Sequence, residues 1–89
     1  MLLLPATLTL REARNAQQML AQALQSAPGE AVVIDASPLA QFDTSVLAVL
    51  LECRRLAVAW GKGFSVREAP PKLNALAKLY GVDGLLFPA

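Results

Sequence analysis

The feature that most constrains this chain is a four-residue run, Ala31-Val32-Val33-Ile34, set between Ser26-Ala27-Pro28-Gly29 and Asp35-Ala36-Ser37-Pro38. The run is too short for a helix and rich in β-branched residues, so it reads as a strand. It lacks polar alternation, which calls for apolar cover on both faces, as in the centre of a sheet layered with helices. Helical stretches flank it on both sides. Upstream, Ala13, Ala16, Leu20, Ala23 and Leu24 fall on one helical face, while Arg14, Gln17, Gln18, Gln22 and Gln25 fall elsewhere. Thr9-Leu10-Arg11-Glu12 fits a capping box at the start of that helix, with Thr at the N-cap and Glu three residues on. Its end is expected near Ser26-Ala27-Pro28-Gly29. Downstream, a long helical run from about Thr44 to Trp60 stops at Gly61-Lys62-Gly63.

The rest of the chain continues the alternation. Leu2 to Leu4, and Thr7-Leu8-Thr9-Leu10 with its polar–apolar alternation, read as strand, with Pro5 at a turn or sheet edge. Phe64-Ser65-Val66-Arg67 alternates again. Pro70-Pro71 breaks the chain before a short helix marked by Leu73, Leu76, Ala77 and Tyr80, with Pro71 near its first position and Gly81 as its C-cap. The tail from Val82 to Phe87 is expected to pack on the sheet or on a helix. Strands alternating with helices predict an α/β domain whose parallel strands are joined by right-handed crossovers.

At 89 residues the chain has room for one core, so residues 1–89 read as a single domain. Hydrophobic residues (55%) far outnumber charged ones (17%), the balance of a folding chain rather than a disordered one. The net charge is +1 and the basic residues are scattered, which points away from nucleic acid and from an anionic membrane surface. There is no histidine and only one cysteine, Cys53. That removes the commonest general base and leaves no set of zinc ligands, so no metal and no cofactor are expected. Neither a Ser-His-Asp set, HExxH, CxxC nor a P-loop occurs, and the chain does not read as an enzyme. The N-terminus lacks a basic n-region and is broken by Pro5, unlike a signal peptide. The longest apolar run, Val46 to Leu51, falls far short of the ~20 residues a membrane span needs. The reading is a soluble cytoplasmic protein without direct membrane insertion. Its mean hydropathy of +0.45 is high for so small a domain, so some apolar groups are expected to face a partner.

The segment richest in chemistry is Phe42-Asp43-Thr44-Ser45-Val46-Leu47. Asp43 or Thr44 suits the N-cap of the long helix, with a side-chain oxygen accepting a backbone N–H two or three residues on. A cap alone does not require three oxygen-bearing side chains in a row. A hydroxyl in the first helical turn sits beside free N–H groups and the positive end of the helix dipole, which suits a partner's polar group or a regulatory phosphate. Along the helix, Val46, Val49, Leu50, Cys53, Leu56, Ala57 and Trp60 form a core face. Ser45, Ala48, Glu52, Arg55 and Ala59 lie opposite, with Leu47, Leu51 and Val58 along the margin. Small Ala48 beside Leu47 and Leu51 permits close approach of another protein, or else the margin packs under the last helix. Glu52 and Arg55 are spaced for a surface ion pair. Asp35 suits loop amides, or a ligand at the sheet's C-terminal edge. A lipid or other small ligand has only the apolar composition in its favour, since a chain this small has little volume for a pocket.

The stretch from Val32 to Leu51 resembles the central signature of STAS domains: an apolar strand ending in Asp35, a short loop, then Asp43 with hydroxyl residues opening an apolar helix. The resemblance implies a four- to five-stranded mixed sheet with helices mainly on one side, and regulation through protein contact. Two branches of the family are similar. In the MlaB-like subunit of the bacterial ABC transporter that maintains outer-membrane lipid asymmetry, the domain binds the ATPase subunit at the inner face of the cytoplasmic membrane, and the residue corresponding to Thr44 matters. In the anti-sigma factor antagonists, an anti-sigma kinase phosphorylates the serine that corresponds to Ser45. The short chain and the Asp43-Thr44 pair look more like the transporter subunit. The Asp43-Thr44-Ser45 turn that carries the resemblance, taken with the apolar helix margin, gives an expected partner-binding surface of Asp43, Thr44, Ser45, Leu47, Ala48 and Leu51. Val46 departs from the glycine usual in the family after the hydroxyl pair, which alters how closely a partner can approach.

Overall fold

The computed structural model describes residues 2–26, 29 and 31–87. In chain order the elements are β1 (Leu2–Leu3), β2 (Thr7–Leu8), α1 (Leu10–Ser26), β3 (Ala31–Asp35), β4 (Gln41–Phe42), α2 (Ser45–Ala59), β5 (Gly63–Arg67), α3 (Pro71–Leu79) and α4 (Asp83–Leu86). The expected α/β alternation is present. Its five strands divide between two ladders, β1-β3-β5 and β2-β4, and every pairing among them is parallel. The division has a local cause. Thr9 is drawn into the cap of α1, which shortens the expected strand over Thr7 to Leu10, and Pro5 bends the chain between β1 and β2. β4, which the sequence offered only as a lead-in to the helix, forms because Gln41 and Phe42 register with Thr7 and Leu8.

Half of the expected capping box forms at the start of α1: Glu12 reaches back to Thr9, while the Glu12 N–H donates to the Thr9 carbonyl rather than to its hydroxyl. The Thr9 N–H donates to Glu12 Oε1 at 2.9 Å and its hydroxyl donates to the same oxygen at 2.6 Å. These bonds hold the Glu12 carboxyl below its usual range. The stop expected at Ala27-Pro28 lies outside the described residues. α2 ends in a Schellman turn, with Gly61 at φ +72° and the Lys62 N–H donating to the Ala57 carbonyl. α3 repeats the device: Gly81 takes φ +71° and the Val82 N–H donates to the Ala77 carbonyl. Pro71 opens α3 as expected.

One core joins the layers. Leu4, Leu8, Leu24, Ile34, Val46, Leu50, Leu73 and Leu86 are among its fully enclosed side chains. β3 is central in its ladder, yet only Val32 and Ile34 are buried, and Val33 is half-exposed. The helices cover one face of the sheet and leave the other to solvent, so the expected cover on both faces of β3 is corrected. α1 and α2 pack side by side in the helical layer. The tail after Gly81 forms α4, which buries Leu86 against the core.

Candidate functional site

The site is built at the corner where α1 and α2 both begin. Asp43 organises it. Its Oδ1 accepts the Ser45 N–H at 2.9 Å, and its Oδ2 accepts the Leu10 N–H at 3.0 Å. One carboxylate therefore caps the first amide of both helices, where the two dipoles present their positive ends. The Ser45 amide, then the Leu10 amide, hold the Asp43 carboxyl below its ordinary value. The local half of this arrangement is a cap two residues before Ser45, as the sequence indicates. The other half is long-range: nothing in the local pattern signals that Leu10 turns its amide toward Asp43.

Thr44 occupies the N-cap position at φ −62° and ψ −17°, and its side chain makes no capping bond. The residue is exposed, so its hydroxyl is presented outward. Ser45 is half-buried at the first helical position. The free N–H groups expected beside these hydroxyls are occupied. Ser45 N–H goes to Asp43 Oδ1, Val46 N–H to the Asp43 carbonyl at 3.1 Å and Leu47 N–H to the Thr44 carbonyl at 3.1 Å. The first turn is tight because the Asp43 side chain folds back over it.

Leu47 is buried in the core, and Ala48 and Leu51 border it on the outer side of α2. Thr44, Leu47, Ala48 and Leu51 together line a groove of about 290 Å³, whose opposite wall is Tyr80 and Val82. The structure thus brings four of the six expected interface residues into one concavity, with Asp43 and Ser45 forming the capped turn at its head. Tyr80, 57% exposed, and Val82 were expected only as helix and tail residues. The Schellman turn at Gly81 sets both against α2, and the Gly81 signal was the available clue. Phe42, just ahead of the turn, has the Lys72 ammonium 5.8 Å from its ring centroid, within cation–π range.

Other expected residues fall elsewhere. Trp60 leaves the core face and is 43% exposed, because α2 ends at Ala59 and the chain turns at Gly61. Leu56 is half-buried. Val58, on the margin of α2, is exposed beyond the groove. Glu52 and Arg55 form the surface pair, with Arg55 Nε donating to both carboxylate oxygens at 3.1 and 3.0 Å. Asp35 Oδ1 accepts the Ser37 N–H at 2.8 Å, the loop-capping role rather than a free ligand. Cys53 is buried, and desolvation, then the Glu52 charge, push its thiol up to about 12. Among the described residues no three His, Cys, Asp or Glu side chains stand close enough to hold a metal. No helix among them is long and apolar enough to cross a membrane.

What the corner can do chemically is bind. It offers an outward hydroxyl, a small-residue floor and aliphatic walls with an aromatic rim, without a nucleophile–base pair. A family model described as Mlab, STAS domain, matches residues 1–87, nearly the whole chain. No curated protein matches the chain. Domains of this family generally work by binding and regulation rather than catalysis. With its parallel α/β core, its Asp43 corner and a match over almost its full length, the chain belongs to the STAS-domain family, in the MlaB-like branch.

Proposed function

We propose that this protein is a cytoplasmic STAS subunit that docks on the ATPase of an ABC-type phospholipid transporter and regulates it, the groove at the head of α2 being the docking surface. The observation that carries this reading is the convergence of Thr44, Leu47, Ala48 and Leu51 with Tyr80 and Val82 around one groove. An outward hydroxyl surrounded by apolar walls matches the centre of a protein–protein interface, where a few well-packed residues dominate the affinity. The Thr44 hydroxyl is left unused by the fold, so a partner can take it without disturbing the helix.

The same corner argues against a phosphate switch on Ser45, the mode of the anti-sigma factor antagonists. The first three amides of α2 are already bonded, and a phosphate on Ser45 would lie beside the Asp43 carboxylate. Like-charge repulsion, with few free donors to offset it, disfavours that state.

The test is affinity co-purification of the tagged protein from its native cells, with mass spectrometry, run beside Thr44→Ala and Leu51→Asp. Recovery of an ABC ATPase with its permease, lost in both variants, is the expected result. The charge placed by Leu51→Asp in an apolar groove should weaken binding by about 2 kcal/mol or more. Recovery of an anti-sigma kinase in its place, or an ATPase that both variants retain, would defeat the reading.

A further inference from the structure

The two outer strands of the β1-β3-β5 ladder end the sheet in different ways. β1 is two residues long, is stopped by Pro5 and opens on a groove of about 520 Å³ against the flank of α1. β5 is five residues long, Gly63–Arg67. It carries none of the features that blunt an edge: no proline, no bulge in its register and no charge before its last residue. Its pairing is with β3 alone. The Ala36 N–H donates to the Arg67 carbonyl, and backbone groups of successive strand residues point to alternate sides. Gly63, Ser65 and Arg67 therefore face β3, while the N–H and C=O of Phe64 and Val66 face the open edge. No backbone group among the described residues bonds to those four. Just outside the strand stand two opposite charges, Lys62 before it and Glu68 after it, at equal distance along the chain from Ser65.

We propose that β5 pairs with β5 of a second copy of this chain, antiparallel about a two-fold axis at Ser65, so that the two ladders become one continuous sheet. In that register Phe64 lies opposite Val66 of the second copy. Both are edge-facing residues, so each such pair exchanges both of its N–H to C=O bonds, and the axis repeats the exchange. The flanking charges select this occupant. Lys62 falls opposite Glu68 of the second copy, and Glu68 opposite its Lys62. Opposite charges across an antiparallel pair stabilise it, and like charges destabilise it. A parallel second copy would set Lys62 beside Lys62 and Glu68 beside Glu68. An unrelated extended segment matches both ends only by carrying an acid and a base at the same spacing. Glu68 takes φ +58°, a conformation that suits glycine better than glutamate, and no group among the described residues holds its carboxylate. The Lys62 ammonium has three donors, so it serves a neighbour in its own chain and Glu68 of the second copy together. Arg67 lies on the other face of the sheet, where Gly63 of the second copy leaves it room and Asp35 stands beside it in β3.

The test is sedimentation equilibrium of the intact chain from micromolar to millimolar concentration, with amide exchange followed by NMR at both ends of that range. A monomer–dimer equilibrium is expected. Exchange at Phe64 and Val66 should slow as the concentration rises, while Ser65 and Arg67, whose amides face β3, change little. Lys62→Glu and Glu68→Lys each set like charges opposite one another and should weaken the dimer about tenfold. Mixing the two variants should restore it, because each then supplies the charge that the other lacks, a recovery that no loss of folding can imitate. A chain that stays monomeric at millimolar concentration would overturn the proposal. So would a dimer whose Phe64 and Val66 amides exchange equally fast at both concentrations, or a mixture that associates no better than either variant alone. None of these outcomes bears on whether an ATPase docks at Thr44.

Discussion

Asp43 and Thr44 are neighbours with opposite uses. Asp43 is spent on the fold, holding the first amides of α1 and α2. Thr44 spends nothing on the fold. Thr44→Ala is therefore expected to leave the thermal midpoint within the scatter of ordinary surface substitutions, about 0.5 kcal/mol, while partner binding is lost. Asp43→Asn is expected to lower the midpoint and to speed amide exchange at Leu10 and Ser45, which hydrogen-exchange NMR resolves. Its pH behaviour has a definite sign. The carboxyl's folded pKa lies below the ordinary 3.8, so its stabilisation is complete at neutral pH and is lost as pH falls through the folded value. Urea midpoints of wild type and Asp43→Asn should differ at neutral pH and draw together as the pH falls below the ordinary carboxylate range. Cys53, with its thiol pushed up to about 12 and no exposed surface to speak of, should react with iodoacetamide only as fast as the core opens. The sequence made the capping chemistry at Asp43 legible, because a cap is local. It left the bond to Leu10 hidden, because that bond depends on how two helices meet.

At the scale of elements, the groove depends on its α3–α4 wall. Tyr80 and Val82 face α2 because Gly81 turns the chain at φ +71° between them. No atom crowds the place of a side chain there, so Gly81→Ala costs conformational strain alone, about 1 kcal/mol. It should also weaken the partner by moving the wall, a loss that binding and thermal melts together separate from mere instability. Leu86 has no exposed surface, and Leu86→Ala is expected to cost about 3 kcal/mol and to free α4. Both long helices, β3 and α3 were readable from periodicity and punctuation, since Thr9-Leu10-Arg11-Glu12, Pro71 and the glycines mark their ends. β4 was not, because Gln41 and Phe42 become a strand only through Thr7 and Leu8. The outward half of β3 was misjudged for a related reason: Val33 is apolar, but which faces of a sheet are covered is decided by where the helices land.

The two grooves lie on separate parts of the molecule. The helical layer carries the Thr44 groove, the flank of α1 carries the β1 groove, and the far face of the sheet carries neither. Each strand also finds its neighbour at a distance. Leu2 pairs beside Ile34, Thr7 beside Gln41 and Ala31 beside Gly63, each about thirty residues away along the chain. No hairpin exists among these pairings to start the sheet locally. While the chain is being synthesised, β1 and α1 must wait for β3 to emerge, and β3 must wait for β5. The apolar Leu2-Leu3-Leu4 segment and the Thr7-Leu8 strand therefore both stand without their neighbours until β3 and β4 emerge, and slowing translation before that point should expose them to chaperones or to aggregation.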